Sequence, residues 1–182
     1  MENILKLSQV KKELPFNISK GTCLCNIKDL ITDSEYYNLD FDVFLPTKNK
    51  NLQRDYCWSD TQKSELILSI LKGIQIPVFY FVQSKAKDGT RTYKVIDGKQ
   101  RLSTILSFVR GEFFVVHDDC AYSFENLDAE CQQKIMLYDI TVNIAYEYYD
   151  KPIYDDDLIA WFELINFAGT QQDIQHLINL KS

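Results

Sequence analysis

One junction narrows the possible folds of this chain more than any other stretch. Thr92–Ile96 is a strand-like run rich in β-branched residues, and Leu102, Ile105, Leu106 and Val109 follow at helical spacing. A strand that becomes a helix this abruptly needs a sharp bend, and Asp97-Gly98 supplies one. Lys99, Gln100 and Arg101 then occupy the first turn of the helix. There the backbone N–H groups lack intrahelical partners and the macrodipole is positive. Two cations beside such a terminus make a corner suited to a phosphate. The search for a chemical site therefore starts at Asp97, Gly98, Lys99, Gln100 and Arg101.

Around this junction the pattern alternates between helices and strands. Ser59 and Gln62 form a capping-box signature. The helix they open carries Leu66, Ile67, Ile70 and Leu71 on one face and stops at Gly73. Val78–Val82 is expected as a buried strand, and Lys87-Asp88-Gly89-Thr90 as the hairpin turn that returns the chain through Thr92–Ile96. The helix from Lys99 to Arg110 ends at Gly111. Phe113–Val116 reads as a short strand and Asp118–Asn126 as a loop, with Asn126 or Asp128 capping a helix that runs to Leu137. Ile140 to Tyr148 alternates with a period of two, as a strand does.

Asp155-Asp156-Asp157 opens a helix bearing Leu158, Ile159, Trp161, Phe162 and Ile165 that breaks near Ala168-Gly169; a last helix covers Gln172–Leu180. Earlier in the chain, Leu24–Ile31 reads as a short helix or strand, Tyr36–Leu45 as a strand ended by Pro46, and Thr47–Gln53 as a polar loop. The class is α+β, a small mixed sheet with a central hairpin packed by helices. Residues 1–46 are expected as an N-terminal extension packed on a domain of residues 47–182.

The length of 182 residues fits one domain. No apolar run approaches the roughly 20 residues that span a bilayer, and the first residues lack a secretory h-region. Five cysteines, Cys23, Cys25, Cys57, Cys120 and Cys131, follow no zinc-site spacing; reduced thiols and a cytoplasmic setting are expected. The net charge of −6 argues against a general nucleic-acid coat. Residues 48–110 carry twelve Lys and Arg against five Asp and Glu, whereas residues 111–182 carry three against fourteen. Either the basic segment forms a cleft for a compact polyanion, or the two segments neutralise each other across the fold.

Three blocks in order, Leu52–Trp58 (LQRDYCW), Val95–Ile105 (VIDGKQRLSTI) and Phe162–Thr170 (FELINFAGT), together resemble the N-terminal domain of GmrSD-type, modification-dependent restriction systems. That domain is related to the ParB and sulfiredoxin superfamily. The resemblance covers about residues 45–180. It implies a single α+β domain with a nucleotide pocket, in a family where some members hydrolyse nucleoside triphosphates. Asp97, Gln100 and Arg101 fall on the family's Asp-Gly-Gln-Gln-Arg motif, Arg54 on its early Gln-Arg-x-Tyr-x-Trp block, and Asn166 and Gly169 on its later Asn-x-Gly-Gly-Thr block. Lys99 departs from the motif's first Gln, and Ala168 from a Gly. Full-length relatives carry a nuclease domain with a His-Asn-His metal centre. With His117 and His176 as its two histidines, this chain is not expected to hold that activity.

The resemblance thus implies a nucleotide-binding domain of a restriction or phage-defence system, or of its phage-borne counterpart. Arg54, Gly98, Lys99, Gln100, Arg101 and Asn166 would bind nucleotide. Asp97 and Arg101 would act in any hydrolysis, with Mg²⁺ accompanying the nucleoside triphosphate. A separate nuclease or defence protein would be the partner. Two other readings stand beside it: a DNA-associated ParB-like module, and a non-catalytic adaptor or decoy for a partner protein. The residues themselves leave alternatives open. Arg101 meets an anion, or pairs with Asp97 or Asp55. Asp97 holds Mg²⁺, activates water or caps the helix. Lys99 is a phosphate ligand or a solvated lysine; Arg54 reaches the pocket or makes a structural salt bridge. Asn166 is a site residue or a helix cap.

Overall fold

A computed structural model describes residues 20–32, 38–147 and 152–167. Its centre is the hairpin expected from Lys87–Thr90. Strand β5 (Phe79–Lys85) and strand β6 (Arg91–Asp97) pair antiparallel across that turn. Ala86 N–H donates to Thr90 O at 2.8 Å. Strand β9 (Asp139–Glu147) lies parallel to β5 on its other side, β1 (Lys20–Asn26) closes that edge antiparallel to β9, and the short β2 (Asn38–Asp40) runs parallel to β6. The order β1-β9-β5-β6-β2 makes one mixed five-stranded sheet in an α+β fold.

Alternation along the strands sends side chains to two cores. Phe79, Phe81, Tyr93, Val95, Ile140, Val142 and Ile144 face one side. They pack there with helices α1 (Ile27–Thr32), α2 (Asp60–Leu71), α3 (Lys99–Val109) and α4 (Ala129–Met136). Val82, Ile96 and Ala145 face the other side, where α5 (Asp155–Phe167) lays Leu158, Ile159, Trp161 and Phe162 on them. Phe79, Phe81 and Phe108 are fully buried, each contributing roughly 1.5–3 kcal/mol by leaving water. No helix among the described residues is long and apolar enough to cross a membrane.

The helix boundaries follow local chemistry. Ser59 Oγ accepts from Gln62 N–H at 3.3 Å while Gln62 Oε1 accepts from Ser59 N–H at 3.0 Å, which completes the capping box of α2. Asp128, rather than Asn126, caps α4 by accepting from Cys131 N–H at 2.8 Å. The acidic start of α5 is docked as well as oriented: Asp155 accepts from the N–H and hydroxyl of Thr47, at 2.8 and 2.6 Å.

Several expectations need correction. Leu24–Ile31 is strand and helix in succession, β1 passing into α1 at Ile27. Tyr36–Leu45 is not one strand: β2 and β3 (Phe44–Leu45) are separated by a bend in which Asp42 N–H donates to Asp40 Oδ1 at 3.0 Å. The polar loop Thr47–Gln53 contains β4 (Lys50–Asn51), paired with β3. The strand expected at Phe113–Val116 is β7 (Val115–His117). The loop after it holds β8 (Cys120–Tyr122), the other half of a small hairpin. Asp118 and Asp119 make that turn with φ of 48° and 58°, values usually left to Gly or Asn. The described part of residues 1–46 supplies two strands of the main sheet. The break near Ala168-Gly169 and the helix over Gln172–Leu180 lie outside the described residues.

Candidate functional site

The corner between β6 and α3 is built on Gly98. Its φ of 102° and ψ of 7° place it in left-handed space, open to glycine at no steric cost. A Cβ there would overlap a ring carbon of Phe79, so the turn has no room for a side chain. Gly98 is the N-cap of α3, and no side-chain hydrogen bond caps the helix.

Arg101 resolves to the ion-paired alternative. Its Nη2 lies 2.8 Å from Asp97 Oδ2, its Nη1 donates to Pro77 O, and its guanidinium carbon stacks 4.7 Å from the centre of the Phe79 ring. Nη2 also reaches Val78 O at 3.4 Å. The pair is largely buried. Burial raises the Asp97 carboxyl above its ordinary value although Arg101 and the Gly98 N–H pull it down; burial likewise lowers Arg101 against the pull of Asp97. Both shifts run toward neutrality, the direction in which burial acts on each group. The pair ties α3 to the chain entering β5.

Lys99 is not a solvated lysine. Its side chain is only 10% exposed, and Nζ lies 2.8 Å from Oδ1 of Asp42, whose side chain is 73% exposed. Gln100 works as a clasp, its Oε1 accepting from Cys57 N–H at 2.9 Å and its Nε2 donating to Asp55 O at 3.0 Å. Tyr56 Oη bonds Thr104 Oγ1 at 2.7 Å, and Thr104 in turn donates to Gln100 O at 2.7 Å. Gln53 Nε2 donates to Val95 O at 2.9 Å and to Ile96 O. The loop of residues 53–57 is therefore stapled to the corner on both sides of Arg54. Arg54 itself is exposed, with no hydrogen-bond or ion-pair partner among the described residues.

Asn166 lies on α5, buried, with Nδ2 donating to Phe162 O of its own helix at 2.7 Å. Its described bond is structural. Gly169 lies outside the described residues. Tyr56 is partly exposed with Lys63 Nζ over its ring at 5.6 Å, and Trp58 packs against the core. His117 is half exposed beside Asp118.

Sequence reasoning missed three participants. Asp42 is 57 residues from its partner Lys99, with no local signal to link them. Thr104 looks like ordinary helix filling. Gln53 was legible in principle, because it begins the Gln-Arg-x-Tyr-x-Trp block that includes Arg54; its Oε1 is buried with no hydrogen-bond partner among the described residues.

The charge asymmetry also finds an explanation. Lys48 and Lys94 of the basic segment pair with Asp156 and Glu147 of the acidic one, at 3.7 and 3.6 Å. Neutralisation across the fold is therefore at least part of the pattern.

The model of the GmrSD restriction endonuclease N-terminal domain matches residues 27–166. The match takes in β2, β3 and the whole corner, and it begins well before the boundary expected at residue 47. No curated protein and no solved structure matches the chain. With the greater part of its length matched, from α1 into α5, the chain belongs to the GmrSD restriction endonuclease N-terminal domain family.

Proposed function

We propose that this domain binds a nucleoside triphosphate at the corner between β6 and α3, as part of a restriction or phage-defence system. The observation that carries the reading is the pairing of a helix start with no side-chain cap and a stapled loop whose arginine has no partner, both among the described residues. The first-turn amides of α3 and the Arg54 guanidinium take the phosphates, with Lys99 behind them. Arg101 and Asp97 hold the corner in shape. A Mg²⁺ ion arriving with the nucleotide is held chiefly by the phosphates. Asp97 Oδ2 is spent on Arg101, and among the described residues no three His, Cys, Asp or Glu gather to hold a metal.

A compact nucleotide is favoured over DNA because so much of the basic segment is already spent. Lys48, Lys63, Lys94 and Arg101 each pair with a carboxylate of the fold. DNA affinity is dominated by cations free to meet phosphates.

Calorimetric titration with ATP, GTP, CTP and UTP, with and without Mg²⁺, tests the reading. At least one should bind, and Arg54→Ala should weaken it about 10- to 100-fold, the loss of a charged hydrogen bond. The melting temperature of the unliganded variant should stay near wild type, since Arg54 holds nothing in the described fold. Absence of binding by all four nucleotides, or equal affinity in the variant, overturns the assignment. A turnover assay on the same samples separates a binding module from a hydrolase.

A further inference from the structure

The two halves of the Lys99–Asp42 pair are buried to very different extents. The lysine amine is fixed inside the fold at the first residue of α3, its side chain 10% exposed. A cation there opposes the helix macrodipole, so the position demands an anion. The anion present is a carboxylate on the bend between β2 and β3, and its side chain is 73% exposed. The bend itself is anchored, because Val43 and Leu45 are buried in the second core and Asp42 N–H is held by Asp40. The Asp42 side chain can therefore rotate into solvent while its backbone stays in place. Lys99 has no such freedom.

On this asymmetry, and resting on the nucleotide reading of the corner, we propose that Asp42 is an internal competitor for the ligand. Its carboxylate occupies on Lys99 the place that a phosphate oxygen takes in the bound state. Binding proceeds by exchange of one anion for the other, with no bond made or broken. The exchange keeps Lys99 neutralised in both states, which a buried ammonium requires. It also sets a threshold. Apparent affinity is the intrinsic affinity multiplied by the fraction of molecules in which the carboxylate has already swung away. A polyanion with several charges displaces Asp42 more readily than a single phosphate group does. The domain thus discriminates by phosphate number before any base is read.

The test uses the full chain, with inorganic tripolyphosphate and ATP as probes. If Asp42 is engaged about nine-tenths of the time, Asp42→Asn should bind both roughly tenfold more tightly. The gain should vanish when Asp42→Asn is combined with Lys99→Gln, because the competitor acts only through that amine. Asp42→Ser gives the same reading should the asparagine variant fold poorly. Tighter binding that survives in the Lys99→Gln background overturns the exchange. So does unchanged or weaker binding by Asp42→Asn and Asp42→Ser while the wild type binds; that result leaves the nucleotide reading in place. If neither wild type nor variant binds either probe, the exchange falls; the nucleotide reading falls with it when GTP, CTP and UTP also fail to bind.

Discussion

Gly98→Ala is expected to destabilise the domain by about 2–5 kcal/mol in urea unfolding at neutral pH. About 1–2 kcal/mol comes from holding an L residue in left-handed space, and about 1–3 kcal/mol from overpacking against Phe79. The two are hard to relieve separately. Relaxing φ away from 102° re-aims α3, and moving the Phe79 ring takes it from under the Arg101 guanidinium. Set against total stabilities of about 5–15 kcal/mol, the change would leave a marginal fold. Gly89 (φ 90°), in the turn at the other end of β6, offers the control: nothing lies within 4 Å of an added Cβ there, so only the backbone penalty applies. Equal losses at the two glycines would show that contact with Phe79 contributes nothing.

Asp97→Ala is expected to cost roughly 3–5 kcal/mol, because it strands the buried Arg101 charge. Replacing both partners, Asp97→Leu with Arg101→Met, should cost less than the single change, since no buried charge is left without its partner. Urea melts of the three proteins decide the matter. A double variant worse than the single one would mean that the pair stabilises the fold outright. A pH dependence follows from the raised Asp97 carboxyl. Its stabilising contribution is fully present below the ordinary aspartate value and is lost as pH rises through the raised one. Asp97→Asn should abolish that slope within the same acidic window, leaving the rest of the stability profile in place.

The elements of this fold were legible where the signal is local. Ser59 and Gln62 announce a helix start because both halves of the capping box lie within one turn. Asp-Gly announces the bend at residue 98 because almost nothing else tolerates the geometry. The small β7–β8 hairpin stayed hidden because its turn is made by Asp118 and Asp119, which tolerate positive φ without advertising it. The short pairing of β3 with β4 stayed hidden for a similar reason, with Asn49 at φ 52° inside a lysine-rich stretch that reads as loop.

For the site, residue positions were legible but their partners were not. Periodicity placed Lys99, Gln100 and Arg101 at a helix start. It carried no information about Asp42, the Cys57 amide or the Pro77 carbonyl that hold them. The direction of a charged side chain is decided by tertiary neighbours, and these come from distant parts of the chain. That is why Arg54, expected either to reach the pocket or to make a structural salt bridge, has no partner among the described residues, while Arg101 is held by Asp97 and Pro77.

The position of β9 has a consequence for how the chain is made. It is wedged between β1 and β5, pairing Lys20 with Ala145 at one end. The β5–β6 hairpin is a local structure that closes within microseconds of emerging. The sheet as a whole must wait for Glu147 to leave the ribosome, and until then β1 and one flank of β5 have no β9 to pair with. Between the emergence of Lys85 and that of Glu147 the nascent chain therefore carries two unpaired strand edges, and one later segment seals both at once.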